Sequence, residues 1–372
     1  MGSTAQDVPT LRWGVLGTGW ISSTFTADLI AQRTNATAKH VITALGTSSY
    51  EKGAAFIDKV WKDSVARQPR IYDNYQAVYD DSDVDIVYVG TPHAMHKQNC
   101  LDAIAAGKAV LCEKPFTVNE RDAQEVVDAA KAKGVYVMEA VWTRFFPLMQ
   151  SLLDHLHVKK TIGDIHRCFV DLGLDMPLAN LPADSRLKDP NLGAGALLEI
   201  GIYTLTHASL ILGAGKVGDE HPRFNVISSV DITDGIDDSN VVVLSYEADK
   251  DAGLVTRTAI CTSTFKFKSC SDFARIEGSL GTITISGYVA ASPSEFRITS
   301  IGTDQVHEPK QQVYKFPQPE GTGGFVYEAD AVALDIAAGR KENSTMPLNE
   351  TLRMMRLMDG IRKEAGLIYP QD

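Results

Sequence analysis

Two stretches of this sequence bring together residue types that can move a proton or hold charge at a reacting atom. The first is Ala109-Val110-Leu111-Cys112-Glu113-Lys114-Pro115. Its apolar run predicts a buried strand, and Pro115 stops the ladder because it has no N–H to give. The same proline disfavours helical backbone at Lys114, so the ammonium is carried on an extended, restricted stretch. The carboxyl end of a parallel strand is where open α/β sheets take their ligands. The second stretch runs from Gly193 through Gly195 to His207. Glu199, Tyr203 and His207 stand at i, i+4 and i+8, so a helix places carboxylate, phenol and imidazole along one face. Glycines before that helix allow a ligand to approach closely. Plainer readings are a strand end with solvated charges and an amphipathic helix whose polar face meets water.

The elements that must position these groups can be read in order. Leu11 to Leu16 predicts a strand that runs into Gly17-Thr18-Gly19-Trp20-Ile21-Ser22 and then a helix with Phe25, Leu29 and Ile30 on its apolar side. Strand, glycine turn and helix form the context in which a G-x-G-x-x-G match is informative. Gly17 permits the turn, and Gly19 lets a pyrophosphate approach the N–H groups at the helix start. Ser22 replaces the third glycine. The second strand, His40 to Gly46, ends in Thr47-Ser48-Ser49 with Lys52 following, where an NAD-type site carries an acid for the ribose 2′-hydroxyl. Hydroxyl donors and a cation favour a 2′-phosphate instead. NADP is therefore the expected cofactor, with NAD as the alternative.

Alternation of helix and strand continues through Arg70–Tyr72, Asp85–Gly90 and the Lys114 strand to Gly134–Ala140, as a doubly wound sheet requires. Thr91, Pro92, His93 and His96 start a helix at the edge of the cofactor cleft. The i, i+3 histidines lack a carboxylate or cysteine to complete a metal site, and none is expected. Beyond Ala140 come successive alternating runs, Ile165–Leu172, Phe224–Ile232, Asn240–Tyr246, Val255–Thr262, Phe273–Glu277 with Thr282–Ile285, Phe296–Ile301 and Val313–Phe316. With little helix between them they predict an antiparallel sheet. Late helices are expected from Ala329 and from Leu348. The predicted class is α/β, with a Rossmann domain over 1–140 and an α/β domain with an open, mostly antiparallel sheet over 141–372.

Composition sets the outer limits. A chain of 372 residues exceeds one ordinary core. Hydrophobic and charged fractions of 44% and 22% are those of a globular protein. A net charge of −11 argues against nucleic acid or an anionic membrane as main partner. No membrane span or secretory signal is read. Five scattered cysteines without a C-x-x-C pair suit a reducing compartment, so a cytoplasmic location is expected. The polar start, Met1 to Asp7, reads as a loose tail, with Gln6 arguing against myristoylation. Glycosylation-type triplets at Asn35, Asn343 and Asn349 read as chance.

These motifs together resemble the glucose–fructose oxidoreductase / inositol dehydrogenase superfamily, and within it the dimeric dihydrodiol dehydrogenase and NADP-dependent D-xylose 1-dehydrogenase branch. The resemblance rests on Gly17-Thr18-Gly19, Thr91-Pro92 with His96, Glu113-Lys114-Pro115, the run Met138 to Pro147, and Gly195 to Tyr203. It implies catalysis by Lys114 and Tyr203, with Glu199 where the branch usually has aspartate, and it allows a cis Lys114–Pro115 peptide. It further implies that Glu113, Trp142 and Arg144 join the cofactor site. Trp142, Phe145, Glu199, Tyr203 and His207 are expected around a small sugar or diol substrate, and the C-terminal sheet is expected to form a homodimer.

Chemically, oxidising an alcohol requires hydride transfer and removal of the hydroxyl proton. An ordinary phenol, with a pKa of about 10, is a poor base. The Lys114 ammonium and a charged nicotinamide would both favour the phenolate. Two other classes share the architecture: dinucleotide-binding regulatory sensors, which need no lysine–tyrosine pair, and glycosidases that use the cofactor within the catalytic cycle.

Overall fold

The computed structural model describes residues 8–34, 36–301 and 310–372. The amino-terminal tail and Asn35 lie outside them. The chain divides into two compact units: one of residues 1–116, 121–142 and 318–348, the other of residues 117–120, 143–317 and 349–372. Where the sequence suggests one cut near residue 140, the chain returns to the first unit after completing most of the second.

The first unit is built on β1 (Thr10–Leu16), α1 (Trp20–Ile30), β2 (Lys39–Gly46), α2 (Tyr50–Val60), β3 (Arg70–Tyr72), α3 (Gln76–Asp80), β4 (Ile86–Val89), α4 (His93–Ala105), β5 (Ala109–Glu113), α5 (Glu120–Lys133) and β6 (Val137–Ala140). The six strands are parallel in the order β3-β2-β1-β4-β5-β6. Strands β4, β5 and β6 are buried at every residue, which is why they read as mostly apolar runs. Chain order reverses between β1 and β4. In such sheets the crevice outside the strand ends at that point takes the ligand.

The second unit carries α6 (Pro147–Leu153), β7 (Ile165–Gly173), α7 (Ile202–Leu212) and β8 (Phe224–Thr233). It continues with β9 (Ile236–Tyr246), β10 (Arg257–Thr264), β11 (Asp272–Gly278), β12 (Gly281–Val289), β13 (Ser292–Ser300) and β14 (Gln311–Lys315). Its eight strands run in the order β14-β13-β12-β11-β7-β10-β9-β8. Within this sheet only the β7–β10 pair is parallel among the described ladders. One face is packed by α7, all of whose residues are buried. The helical stretch Pro190–Leu212 is long and apolar enough to cross a membrane, yet 94% of its apolar window is buried within the protein. It is the centre of this unit's core.

The segment that rejoins the first unit brings α8 (Val326–Ala337). Asp28 on α1 accepts the N–H groups of Gly323, Gly324 and Phe325 at 2.8, 2.9 and 2.9 Å. Arg33 forms a two-pronged pair with Asp330 at 3.0 and 2.7 Å, and His40 reaches the same carboxylate at 2.8 Å. The final helix, α9 (Leu348–Glu364), belongs with the second unit from Asn349 onward.

Candidate active site

In the first unit, Gly17 has φ +85°, and a Cβ there would press on the Gly90 carbonyl oxygen at 3.1 Å. Glycine is demanded by conformation and by packing. Gly19 differs: a Cβ built on it meets nothing within 4 Å. Open space over this glycine, and a helix start that no side chain caps, suit a pyrophosphate received by N–H groups. The third position of the motif is also explained. Ser22 is fully buried, its hydroxyl 3.4 Å from the Gly90 carbonyl, and a Cβ at Gly90 would sit 2.3 Å from that hydroxyl. The missing glycine of the helix is thus supplied on the facing strand end.

At the end of β2, Thr47 is buried and its N–H donates to Tyr72 O, whereas Ser48 and Lys52 are exposed. The Lys52 ammonium donates to the Ser48 hydroxyl at 2.9 Å, and Ser49 caps α2 by accepting the Lys52 N–H. A helix start, a cation and two hydroxyls therefore converge in one turn. Trp20 and Ile21 open α1, Trp20 largely exposed.

Lys114 stands at the end of β5, partly exposed, and the Lys114–Pro115 peptide is cis. The strand ends at Gly17, Thr91 and Lys114 lie side by side, because β1, β4 and β5 are consecutive neighbours. Behind them, Glu113 accepts the Tyr88 hydroxyl at 2.5 Å and the Lys114 N–H at 3.3 Å. Glu139 accepts the Phe116 N–H at 3.0 Å. Glu328, fully buried, has neither oxygen hydrogen-bonded. Burial, reinforced by the charge of Glu113, pushes its pKa well above the usual carboxylate range. Sequence reading missed Glu328, which lies far along the chain.

His93 and Thr91 are nearly buried and His96 is wholly so. The His96 ring lies 2.9 Å from Pro115 O and 2.8 Å from Thr91 O, between the ends of β4 and β5, and the single N–H of the neutral ring donates to one of the two. Both ring nitrogens therefore face backbone carbonyls, and His96 holds the loops rather than exposing an edge to a cofactor. Trp142 stacks on Phe325 with centroids 4.0 Å apart, and Phe325 meets Phe25 edge-on at 6.2 Å.

In the second unit, Leu197–Gly201 is a π-helical turn leading directly into α7. Such turns are frequent at functional sites. Its first N–H, at Leu197, donates to the buried Asp237 carboxylate at 2.6 Å. Gly195 has φ +139° and lies against Asp237 and the Tyr369 hydroxyl, which donates to Ala194 O. Glu199 on the turn and Tyr203 one turn later are thus carried by a clamped helix start. The Glu199 carboxylate accepts both prongs of Arg186 at 3.0 and 2.8 Å. Phe145 is partly exposed, in the 3-10 turn Trp142–Phe145.

Two expected site residues are enclosed by the protein itself. The side chain of Arg144, expected at the cofactor, has zero exposure and pairs with the equally buried Glu350. Burial alone would raise Glu350, but the Arg144 charge and the hydrogen bonds of Arg353 outweigh it and hold the carboxyl down to about 2. His207, expected beside the substrate, is fully enclosed. Its Nε2–H donates to Ala290 O at 2.8 Å, and burial pushes its pKa down to about 4. Both are buried against partners distant in sequence. Among the described residues, no three His, Cys, Asp or Glu side chains gather as a metal site would need.

A doubly wound parallel sheet with a glycine turn at its switch point defines a dinucleotide-binding protein. The chain belongs to the oxidoreductase family with an NAD-binding Rossmann fold, whose family profile matches residues 11–141. It is 33% identical to D-xylose 1-dehydrogenase (NADP(+)) of Hypocrea jecorina, over 97% of this chain and 94% of that protein. It is 31% identical to human trans-1,2-dihydrobenzene-1,2-diol dehydrogenase, over 97% and 99% of the two chains. Among solved structures, aldose-aldose oxidoreductase from Caulobacter crescentus matches with a TM-score of 0.75 at 22% identity, covering 96% of this chain and 98% of that one. Levoglucosan dehydrogenase in complex with NADH matches at 0.77 and 18% identity, over 96% and 97%.

Proposed function

We propose that this protein is an NADP-preferring dehydrogenase that oxidises a hydroxyl carbon of a small sugar or vicinal diol, or reduces the matching carbonyl. The observation that carries the reading is the alignment of Gly17, Thr91 and Lys114 on three neighbouring strand ends at the sheet's switch point. Gly17, Gly19 and the opening N–H groups of α1 would hold the pyrophosphate, and Ser48, Ser49 and Lys52 the 2′-phosphate. NADP, when bound, supplies the hydride acceptor. In this reading the Tyr203 phenolate oxygen takes the hydroxyl proton of the substrate. The Lys114 ammonium favours the phenolate and donates to the substrate oxygen as negative charge grows there. Glu199 accepts from a neighbouring hydroxyl.

A homodimer through the open face of the second unit's sheet fits this reading. Ile227, Val241 and Val313 are 66%, 41% and 48% exposed on that sheet. A reducing, cytoplasmic setting fits five cysteines that are all free thiols. The test is NADP reduction over a panel of pentoses, hexoses and cyclic trans-diols. Turnover with at least one member is expected, and Tyr203→Phe should lower its kcat by roughly two to four orders of magnitude. Wild-type turnover in that variant would remove Tyr203 from the role. No reduction of NADP or NAD by any member would refute the substrate assignment.

A further inference from the structure

We infer that Arg186 is a specificity-determining residue that, paired with Glu199, reads the additional hydroxyls of a sugar. This deepens the proposed function and rests on it. Arg186 lies in the irregular stretch between β7 and the helix of Tyr203, as part of the short 3-10 turn Arg186–Lys188. That turn is held in place. Ser185 caps it by accepting the Leu187 N–H at 3.4 Å, and Leu187 is buried beside the arginine. Asp189 caps the next short turn through the Asn191 N–H at 2.9 Å. The guanidinium is therefore delivered on a fixed backbone, four residues' worth of helix away from Tyr203 through its partner Glu199.

The pair has the geometry of specific recognition. Both carboxylate oxygens of Glu199 are taken by separate guanidinium nitrogens, a planar two-pronged contact that a lysine cannot reproduce. Glutamate rather than the shorter aspartate matters here, since the extra methylene carries the carboxylate out to the guanidinium. The arginine side chain is 47% exposed and that of Glu199 15%, so the pair forms a solvent-reached edge and not a core lock. Its contrast with the buried Arg144–Glu350 pair is complete, since neither member of that pair has any exposure.

A guanidinium–carboxylate edge presents N–H donors and oxygen acceptors side by side. A hydroxyl group both donates and accepts, so two adjacent hydroxyls match such an edge. A trans-dihydrodiol offers only the reacting hydroxyl and its neighbour on an otherwise apolar ring. A pentose or hexose offers further hydroxyls, and those are what the Arg186–Glu199 edge selects. Sites built to hydrogen-bond a hydroxyl discriminate strongly against analogues that lack it.

Steady-state kinetics with NADP on the full-length protein test this, using D-xylose and a cyclic trans-dihydrodiol for wild type, Arg186→Ala, Arg186→Lys and Glu199→Asp. Arg186→Ala should lower kcat/KM for the sugar roughly 10- to 100-fold more than for the diol, with most of the change in KM. Arg186→Lys should recover only part of it. Glu199→Asp combined with Arg186→Ala should be little worse than the poorer single variant, because the two act as one unit. Equal losses on both substrates, or an unchanged sugar-to-diol ratio, would overturn the assignment. A wild type that oxidises neither of these substrates nor any other member of the panel refutes the proposed function instead. The pair is then judged by thermal shift with D-xylose in the presence of NADP. A shift in wild type that Arg186→Ala abolishes supports it, and the same response in both proteins, shift or none, overturns it.

Discussion

At the scale of single residues, the site depends on small groups whose neighbours decide their chemistry. Lys52 is an exposed ammonium, yet its hydrogen bond to Ser48 and the Ser49 cap fix it at the start of α2. A phosphate at this place gains a charge-assisted contact that a bare ribose hydroxyl does not. Lys52→Ala should therefore raise KM for NADP about 10-fold or more, with a change of less than about 3-fold for NAD. Cofactor kinetics on the one variant check this, and equal effects on both cofactors would show that Lys52 does not read the 2′-phosphate. Gly17 and Gly19 illustrate a different dependence. The first is required by a positive φ and a crowded neighbour, the second leaves open space. Only the second is a statement about a ligand.

At the scale of elements, the π turn Leu197–Gly201 and α7 form the part whose position matters most, and Asp237 anchors its start. Asp237 lies on β9, is fully buried, and accepts from Leu197 N–H at 2.6 Å and Asn240 Nδ2 at 3.2 Å. Asp237→Ala removes both acceptors and should cost about 1–3 kcal/mol of stability, together with roughly tenfold in kcat as the helix start loosens. Asp237→Asn keeps an oxygen acceptor for Leu197 and should retain most of both. Thermal melts and turnover of the two variants decide the matter. An alanine variant with the wild-type melting temperature and kcat would mean that the helix start is held by Gly195 and Tyr369 alone. Local elements of this kind were also what the sequence revealed best. The strand–glycine–helix unit and the Glu113-Lys114-Pro115 strand end are legible because their signals lie within a few consecutive residues. Arg144 and His207 are enclosed by partners far along the chain, which no local pattern carries, Glu350 lying 206 residues beyond Arg144 and Ala290 lying 83 beyond His207. Arg186 lies in an irregular stretch and pairs with a carboxylate carried by another element, so nothing in its immediate sequence marks it.

At the scale of the whole molecule, buried histidines govern how the fold responds to acid. His96, His207 and His221 are each pushed down to about 4, in every case chiefly by burial. In the unfolded chain each returns to about 6.5. As pH falls below 6.5 the unfolded chain binds protons that the folded protein refuses until about pH 4. Stability is therefore fully present above 6.5 and drains away on acidification, by up to about 1.4 kcal/mol per pH unit for each histidine. Asp237 works in the opposite sense. Burial raises it to about 6, so between pH 6 and about 4 the folded state takes up a proton that the unfolded chain has not yet bound. Glu328 and Asp28, both raised by burial, act in the same sense as Asp237, whereas His155 and His157, both lowered by burial, add to the loss. Five histidines against three carboxyls leave a net loss. Glu350, held down to about 2, adds a further loss only below about pH 4.5. The melting temperature at constant ionic strength should thus fall by roughly 5–10 °C between pH 7 and pH 5. His221→Gln should flatten part of that slope, because its ring contacts Ser209 and Pro222 without serving the proposed chemistry. A melting temperature that holds steady or climbs over this interval would mean that these rings accept protons inside the folded protein, and that the enclosure argued for His96 and His207 is not the state in solution.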